Sequence, residues 1–187
     1  ELVALAKSKP GKLNVSVTGV GTSPHMAAVL FESVTGTKMT EVKYKGTAQA
    51  YGDVVSGLVE VTFPTLLTSV PYMKSGKVKT LAITTSQVSP LAPELPTVAS
   101  FGFAGYESVA IHALVAPART PAAIVNRLNQ EIVKFLAQGE VRTRIASMGF
   151  DTIASSPAQL GAAMKSEMDR MGPVLREAGI RPGDAND

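Results

Sequence analysis

Three times before residue 76, a short run rich in β-branched residues gives way to a turn and then to a helical pattern. The runs are Leu13–Thr18, Thr40–Tyr44 and Val59–Phe63, and the helical stretches that follow are Pro24–Thr35, Ala48–Ser56 and Thr65–Ser75. Glycine, hydroxyl and proline residues fill the turns between them, as in Gly19-Val20-Gly21-Thr22-Ser23-Pro24. Extended runs alternating with helices of this length predict an α/β fold built from parallel βα units. Met26, Val29, Leu30 and Phe31 make the expected apolar stripe of the first helix, and Gly36 and Gly57 stand where helices should stop. Pro71 should kink or restart the third helix.

The rest of the chain changes character. Val78–Thr84 reads as a further strand, and Ser89–Gly105 as a long proline-rich connection with one helical turn at Thr97–Ser100. Val109–Ala116 returns to a strand pattern. Helices are predicted over Pro121–Ala137, Glu140–Ser147 and Pro157–Ala178, with a short strand at Asp151–Ile153 and caps at Gly149 and Gly179. Ser23-Pro24, Thr120-Pro121 and Ser156-Pro157 open three of the helices alike, which predicts a hydroxyl cap followed by proline at the first helical position.

Composition removes several function classes. There is no cysteine, which excludes thiol catalysis, disulfides and thiolate metal sites. With 18 Lys and Arg against 15 Asp and Glu, the net charge of +3 weakly favours anionic partners. No basic block is interleaved with aromatic residues and tryptophan is absent, so no nucleic-acid partner is expected. No apolar run approaches the ~20 residues of a membrane-spanning helix. The chain begins with Glu1, which leaves export undecided.

The Gly19–Pro24 turn is the strongest candidate for chemistry. As a dinucleotide loop it lacks the third glycine, and the acid about 20 residues on, Glu41, falls at the start of the next strand where the ribose contact needs its end. Neither a phosphate-binding Gly-Lys-Ser/Thr run nor a Gly-x-Ser-x-Gly nucleophile elbow occurs. The two histidines, His25 and His112, lie in no metal-ligand pattern, so neither metal nor cofactor is expected. His25 belongs to the first turn of a helix, whose positive dipole end disfavours the imidazolium; a neutral hydrogen-bonding or packing role follows. Glu131, Glu140, Asp151, Glu167 and Asp169 lie among Lys and Arg as solvated faces, with no pair of carboxylates set for acid–base work. The chain is therefore not expected to be an enzyme.

An anion-binding loop survives these exclusions. A helix N-terminus presents unpaired N–H groups at the positive end of a dipole, and glycines before it let the backbone approach a ligand closely. The turns after the three strands, Thr18–Ser23, Tyr44–Thr47 and Phe63–Thr65, should converge on the carboxyl edge of the sheet, where open α/β sheets bind ligands. Such a cleft suits reversible capture of a phosphate or a carboxylate.

Ordered blocks along the whole chain resemble the Bug/TctC family, the extracytoplasmic solute receptors of tripartite tricarboxylate transporters. They begin with Gly21-Thr22-Ser23-x-His25-Met26-Ala27-Ala28-x-Leu30-Phe31, Val42-x-Tyr44-Lys45-Gly46-x-Ala48-x-Ala50 and Asp53-x-x-x-Gly57-x-Val59. They continue through Pro71-Tyr72-Met73-Lys74-Ser75-Gly76-Lys77, Leu95-Pro96-Thr97-Val98-Ala99, Gly105-Tyr106-Glu107, Ala116-Pro117-x-x-Thr120-Pro121 and Arg127-Leu128-Asn129. The resemblance implies a type II-like periplasmic binding-protein fold. Its two lobes have mostly parallel sheets, residues 1–116 forming lobe two and 117–187 the returning helical part of lobe one. It also implies that lobe one is incomplete in this chain.

The same resemblance implies a periplasmic receptor that captures a small organic carboxylate and delivers it to membrane permease subunits. A receptor signalling to a sensor kinase and an α/β enzyme using the same anion loop are the alternative readings. Gly21, Thr22 and Ser23 match the family's carboxylate loop, and His25, Tyr44, Pro64 and Thr65 complete the expected ligand-binding set. Lys45 matches a block near the cleft, with its orientation open. Many members carry Phe-Asp-Asn-Leu-Pro-Ser after the third strand, where this chain reads Phe63-Pro64-Thr65-Leu66-Leu67-Thr68. With Pro64 in place of an acid that could pair an ammonium group, the expected ligand is a di- or tricarboxylate or an aromatic acid without an amino group.

Overall fold

The computed structural model describes residues 1–181, 183 and 184. The chain divides into two compact units, Glu1–Ala110 with Pro173–Asp187, and Ile111–Gly172. Of the expected lobe-one segment 117–187, Pro182 and residues 185–187 lie outside the described residues.

In the first unit, helix α1 (Leu2–Ser8) precedes a β/α alternation of β1 (Asn14–Val17), α2 (Ser23–Thr35), β2 (Thr40–Lys43), α3 (Thr47–Ser56), β3 (Val61–Thr62) and α4 (Leu66–Lys74). The three strands form one parallel sheet in the order β2-β1-β3. Asn14 pairs with Thr40 and Val17 with Lys43 on one side, while Val15 pairs with Val61 on the other. Side chains alternate across a strand, so Val15 and Val17 share one face of β1. Ser16 points to the other face and its Oγ donates to Thr62 Oγ1 at 2.7 Å. That bond satisfies a hydroxyl that is 2% exposed in the central strand.

Helix α2 is buried along His25, Ala27 to Phe31 and Thr35, broader than the expected stripe, and Met26 is half-buried. A helix apolar around most of its circumference belongs inside a core. Phe31 carries the contacts outward, with ring centroids 5.4 Å from Phe63 and 6.3 Å from Tyr106. Gly36 ends α2 at φ 63°, a left-handed conformation that glycine adopts without a Cβ penalty.

Several expected elements change form. Helix α4 runs through Pro71 without a break. The predicted strand Val78–Thr84 contracts to a single parallel bridge, Ile83 with Thr97, and the predicted turn at Thr97–Ser100 is a 3₁₀ turn over Ala99–Phe101. β-Branched residues favour an extended backbone, but a strand also needs a neighbour to pair with. Val109–Ala116 and Asp151–Ile153 have no strand partner among the described residues and are irregular. The expected hydroxyl caps also differ among the three helices. Ser156 caps α7 (Pro157–Glu177), its Oγ accepting from the Gln159 amide at 3.2 Å while Gln159 Oε1 accepts from the Ser156 amide at 2.8 Å. Neither α2 nor α5 (Ala122–Leu136) has a side-chain cap bond, and Ser23 is inside α2 with Thr22 at its N-cap.

The second unit holds α5, α6 (Gly139–Ser147) and α7 up to Gly172. Asn129 Nδ2 donates to the Ser155 carbonyl at 2.9 Å, and His112 meets Phe150 edge-on with ring centroids 4.9 Å apart. No residue of α5 or α6 is buried. Ile124, Leu128 and Phe135 form one exposed stripe along α5, each more than half accessible.

Candidate functional site

Parallel strands bring the turns after β1, β2 and β3 to one edge of the sheet, and α2, α3 and α4 all start there. Their N-caps are Thr22, Gly46 and Thr65, each with extended backbone and none with a side-chain cap bond. The first-turn amides of a helix have no intrahelical partner. Three helix starts thus direct uncapped N–H groups and positive dipole ends to the same edge. Thr22 spends its hydroxyl backwards, Oγ1 donating to the Gly19 carbonyl at 2.9 Å. Thr65 Oγ1 lies 3.1 Å from Thr68 Oγ1, and the Thr65 carbonyl accepts from the Thr68 and Ser69 hydroxyls.

The seven expected ligand-binding residues all lie at this edge or in the first turn of α2, with different surroundings. Gly21 is exposed in a left-handed conformation at φ 76°, and its amide donates to His25 Nδ1 at 3.0 Å. Thr22 is half-buried. Ser23 is exposed and its hydroxyl has no assigned partner among the described residues. Pro64 and Thr65 are half-buried after β3. Tyr44 is turned into the protein: its ring packs with Ala50 and Val59, and its hydroxyl donates to Asp53 Oδ2 at 2.7 Å. That bond raises the phenol above its ordinary pKa. Lys45 is exposed.

His25 is 2% exposed and occupied at both ring nitrogens. Because Nδ1 accepts from the Gly21 amide, the proton belongs on Nε2, which donates to Glu41 Oε1 at 3.0 Å. This is the neutral tautomer. The hydrogen bond from His25 holds the Glu41 carboxyl below its ordinary pKa against partial burial, and the Lys38 and Lys43 ammonium groups add electrostatic attraction. Glu41 lies sixteen residues from His25 and near the start of β2, which is no place for a ribose contact but puts its carboxylate within reach of the imidazole. No local pattern joins the two; β1–β2 pairing does.

A pocket of about 290 Å³ opens on the flank of α2 and β2, lined by His25, Glu32, Lys38, Glu41, Lys43, Ala178, Ile180 and Asp184 among others. It takes Val20 from the first turn and nothing from the turns at 44–47 or 63–65. This pocket therefore lies beside the three-turn edge and not within it. Among the described residues no group of three or more His, Cys, Asp or Glu side chains could hold a metal ion. No described helix is long and apolar enough to cross a membrane.

Comparison with known proteins identifies the family and the fold. The model of the tripartite tricarboxylate transporter family receptor (TctC) matches residues 1–180. The protein encoded in the tcbD–tcbE intergenic region of a Pseudomonas species is 31% identical over 178 residues, covering 95% of this chain and 53% of that protein. Protein BugT of Bordetella pertussis is 28% identical, covering 96% and 55%. Among solved structures, Rpa4515 of R. palustris with adipate has a TM-score of 0.84 at 32% identity, covering 97% of this chain and 60% of that one. MatC from Rhodopseudomonas palustris with bound malate has a TM-score of 0.73 at 27% identity, covering 93% and 60%. The chain spans about half the length of these two curated relatives. Its parallel α/β sheet is the architecture of periplasmic binding proteins of the Bug and TctC type. A family match across nearly the whole chain, joined to a fold shared with carboxylate-bound relatives, places this chain in the tripartite tricarboxylate transporter receptor (TctC) family.

Proposed function

We propose that this chain supplies the anion-gripping edge of a periplasmic receptor that captures a small organic carboxylate for a tripartite tricarboxylate-type transporter. The observation that carries this reading is the set of three helix N-termini, all without side-chain caps, on one edge of a parallel sheet. A carboxylate placed there exchanges its hydration for backbone N–H groups and the Ser23 hydroxyl, in the dipole field of the helices. Gly21, Thr22, Ser23, Pro64 and Thr65 border it; Tyr44 and His25 support it from within. The adipate and malate bound by the two structural neighbours are of the same chemical class. Ligand binding favours a closed arrangement of the lobes by making contacts that the open one lacks, and closure marks the receptor for the permease. Reversible capture without bond making suits a site of backbone donors and hydroxyls.

Residues 1–116 act in this reading as lobe two and 117–187 as the returning part of lobe one. The exposed Ile124, Leu128 and Phe135 stripe on α5 is the kind of face that further lobe-one residues would cover.

Pro64 offers no charge to an ammonium group, so the preferred ligand lacks one. Calorimetric titration of the full-length receptor with adipate, malate and citrate tests the class. Pairing succinate with aspartate and adipate with 2-aminoadipate tests the selectivity. Tighter binding of the amino acids would overturn the selectivity, and failure of every carboxylate would overturn the class.

A further inference from the structure

We infer that His25 is a positioning residue: it holds the Gly19–Thr22 turn in its ligand-ready shape by accepting the Gly21 amide, and acts on the ligand through that turn. The inference rests on the carboxylate reading above and identifies how its loop is kept in place. The turn contains two glycines with positive φ, Gly19 at 144° and Gly21 at 76°. Glycine in such conformations loses more freedom on ordering than any other residue, so the shape needs fixed points. Among the described residues these are few. Thr22 Oγ1 and the Thr22 amide both reach the Gly19 carbonyl, at 2.9 and 3.4 Å, and the Met26 amide reaches the Thr22 carbonyl at 2.8 Å. The remaining one is the 3.0 Å bond from Gly21 to His25, the link from the turn to a side chain buried in the core.

His25 can accept there because Glu41 fixes its other nitrogen as the donor, 3.0 Å away. The chain Gly21 N–H to His25 to Glu41 thus runs from the ligand edge to β2. It has two consequences. The Gly21 amide is spent inside the protein, which leaves the amides of Ser23 and His25 and the Ser23 hydroxyl to face an anion. Moreover, the imidazole is buried with both nitrogens engaged, so it makes no direct contact with a ligand.

The test uses the full-length receptor. At neutral pH, ¹⁵N spectra are expected to show His25 as the Nε2–H tautomer, with a scalar coupling across the hydrogen bond between His25 Nδ1 and the Gly21 nitrogen. His25→Phe keeps the ring and removes the acceptor; it is expected to weaken adipate binding roughly ten-fold. His25→Asn, whose carbonyl oxygen can replace Nδ1, is expected to stay within about three-fold of the unmodified receptor. A role confined to packing predicts the reverse pattern, with thermal stability lost in both variants and adipate affinity equal in both. Equal affinities, or an Nδ1–H tautomer, overturn the inference. Should His25→Phe fail to fold, the coupling and tautomer decide alone. If the unmodified receptor binds none of adipate, malate and citrate, the carboxylate reading fails. The Gly21–His25 coupling then still decides, by its presence or absence, whether His25 holds the turn.

Discussion

Tyr106 interrupts a long irregular stretch, yet it is 0% exposed, and truncating it measures how firmly that stretch is tied to α2, the helix that follows the Gly19–Thr22 turn. Its ring stands edge-on to Phe31, and its hydroxyl donates to the Ala27 carbonyl of α2 at 3.1 Å. An aromatic side chain buries about 150–250 Å², which at ~25 cal/mol per Å² is about 4–6 kcal/mol of transfer free energy. Tyr106→Ala should therefore destabilise by about 3–5 kcal/mol, as aromatic-to-alanine core changes do. Tyr106→Phe keeps the ring and should cost about 1 kcal/mol, the net worth of one hydrogen bond. Against a typical total of about 5–15 kcal/mol, that loss is large enough to read as a clear midpoint shift. Urea unfolding of the full-length receptor followed by circular dichroism gives the midpoint shift. Hydrogen exchange of the α2 amides shows whether the loss reaches that helix. A cost under about 1 kcal/mol for Tyr106→Ala, or equal costs for both variants, would refute the idea that ring packing against α2 anchors this stretch.

Three further outcomes are expected. Ser23→Ala removes an exposed hydroxyl at the ligand edge and should weaken carboxylate binding about 10- to 150-fold, the range for a hydrogen bond to a charged group. It should leave unliganded stability within about 0.5 kcal/mol, and unchanged affinity by calorimetry would count against a ligand contact. Glu41 has its folded pKa held below 4.5 by the His25 hydrogen bond, so its stabilisation is present above that pH and is lost as pH falls through the lower folded value. Glu41→Gln should accordingly flatten the acid limb of a urea-midpoint series from pH 6 to 3, and a steeper limb would contradict the assigned pair. Ser156→Ala deletes the reciprocal cap of α7 and should cost about 1 kcal/mol, while Thr120→Ala, at a helix start without a side-chain cap bond, should cost close to nothing; thermal melts of the two variants make the comparison.

Much of the first unit could be read directly from the residues. The alternation of β-branched runs with helical patterns yielded β1, α2, β2, α3, β3 and α4 in order, because helix start, stop and periodicity are local properties. Gly36 and Gly57 end α2 and α3 in left-handed conformations, as expected of glycine there. Absence of cysteine excluded thiol chemistry without reference to any fold. The family, too, was legible, since its blocks are short and lie in order along the chain.

Tertiary structure decided what depends on neighbours distant in sequence. Val78–Thr84 and Val109–Ala116 have strand composition, but pairing is a contact between segments, and the first keeps one bridge while the second has none among the described residues. Ser23-Pro24 and Ser156-Pro157 are alike as dipeptides. Gln159 reciprocates one cap, whereas at the other the Gly21 amide turns away to a histidine. Sheet order β2-β1-β3 puts Glu41 beside His25 and so sets which nitrogen carries the proton. The residues alone determined that a glycine- and hydroxyl-rich turn opens α2. Packing decided which of its amides is already taken, because a hydrogen bond is fixed by three-dimensional proximity that no local pattern encodes.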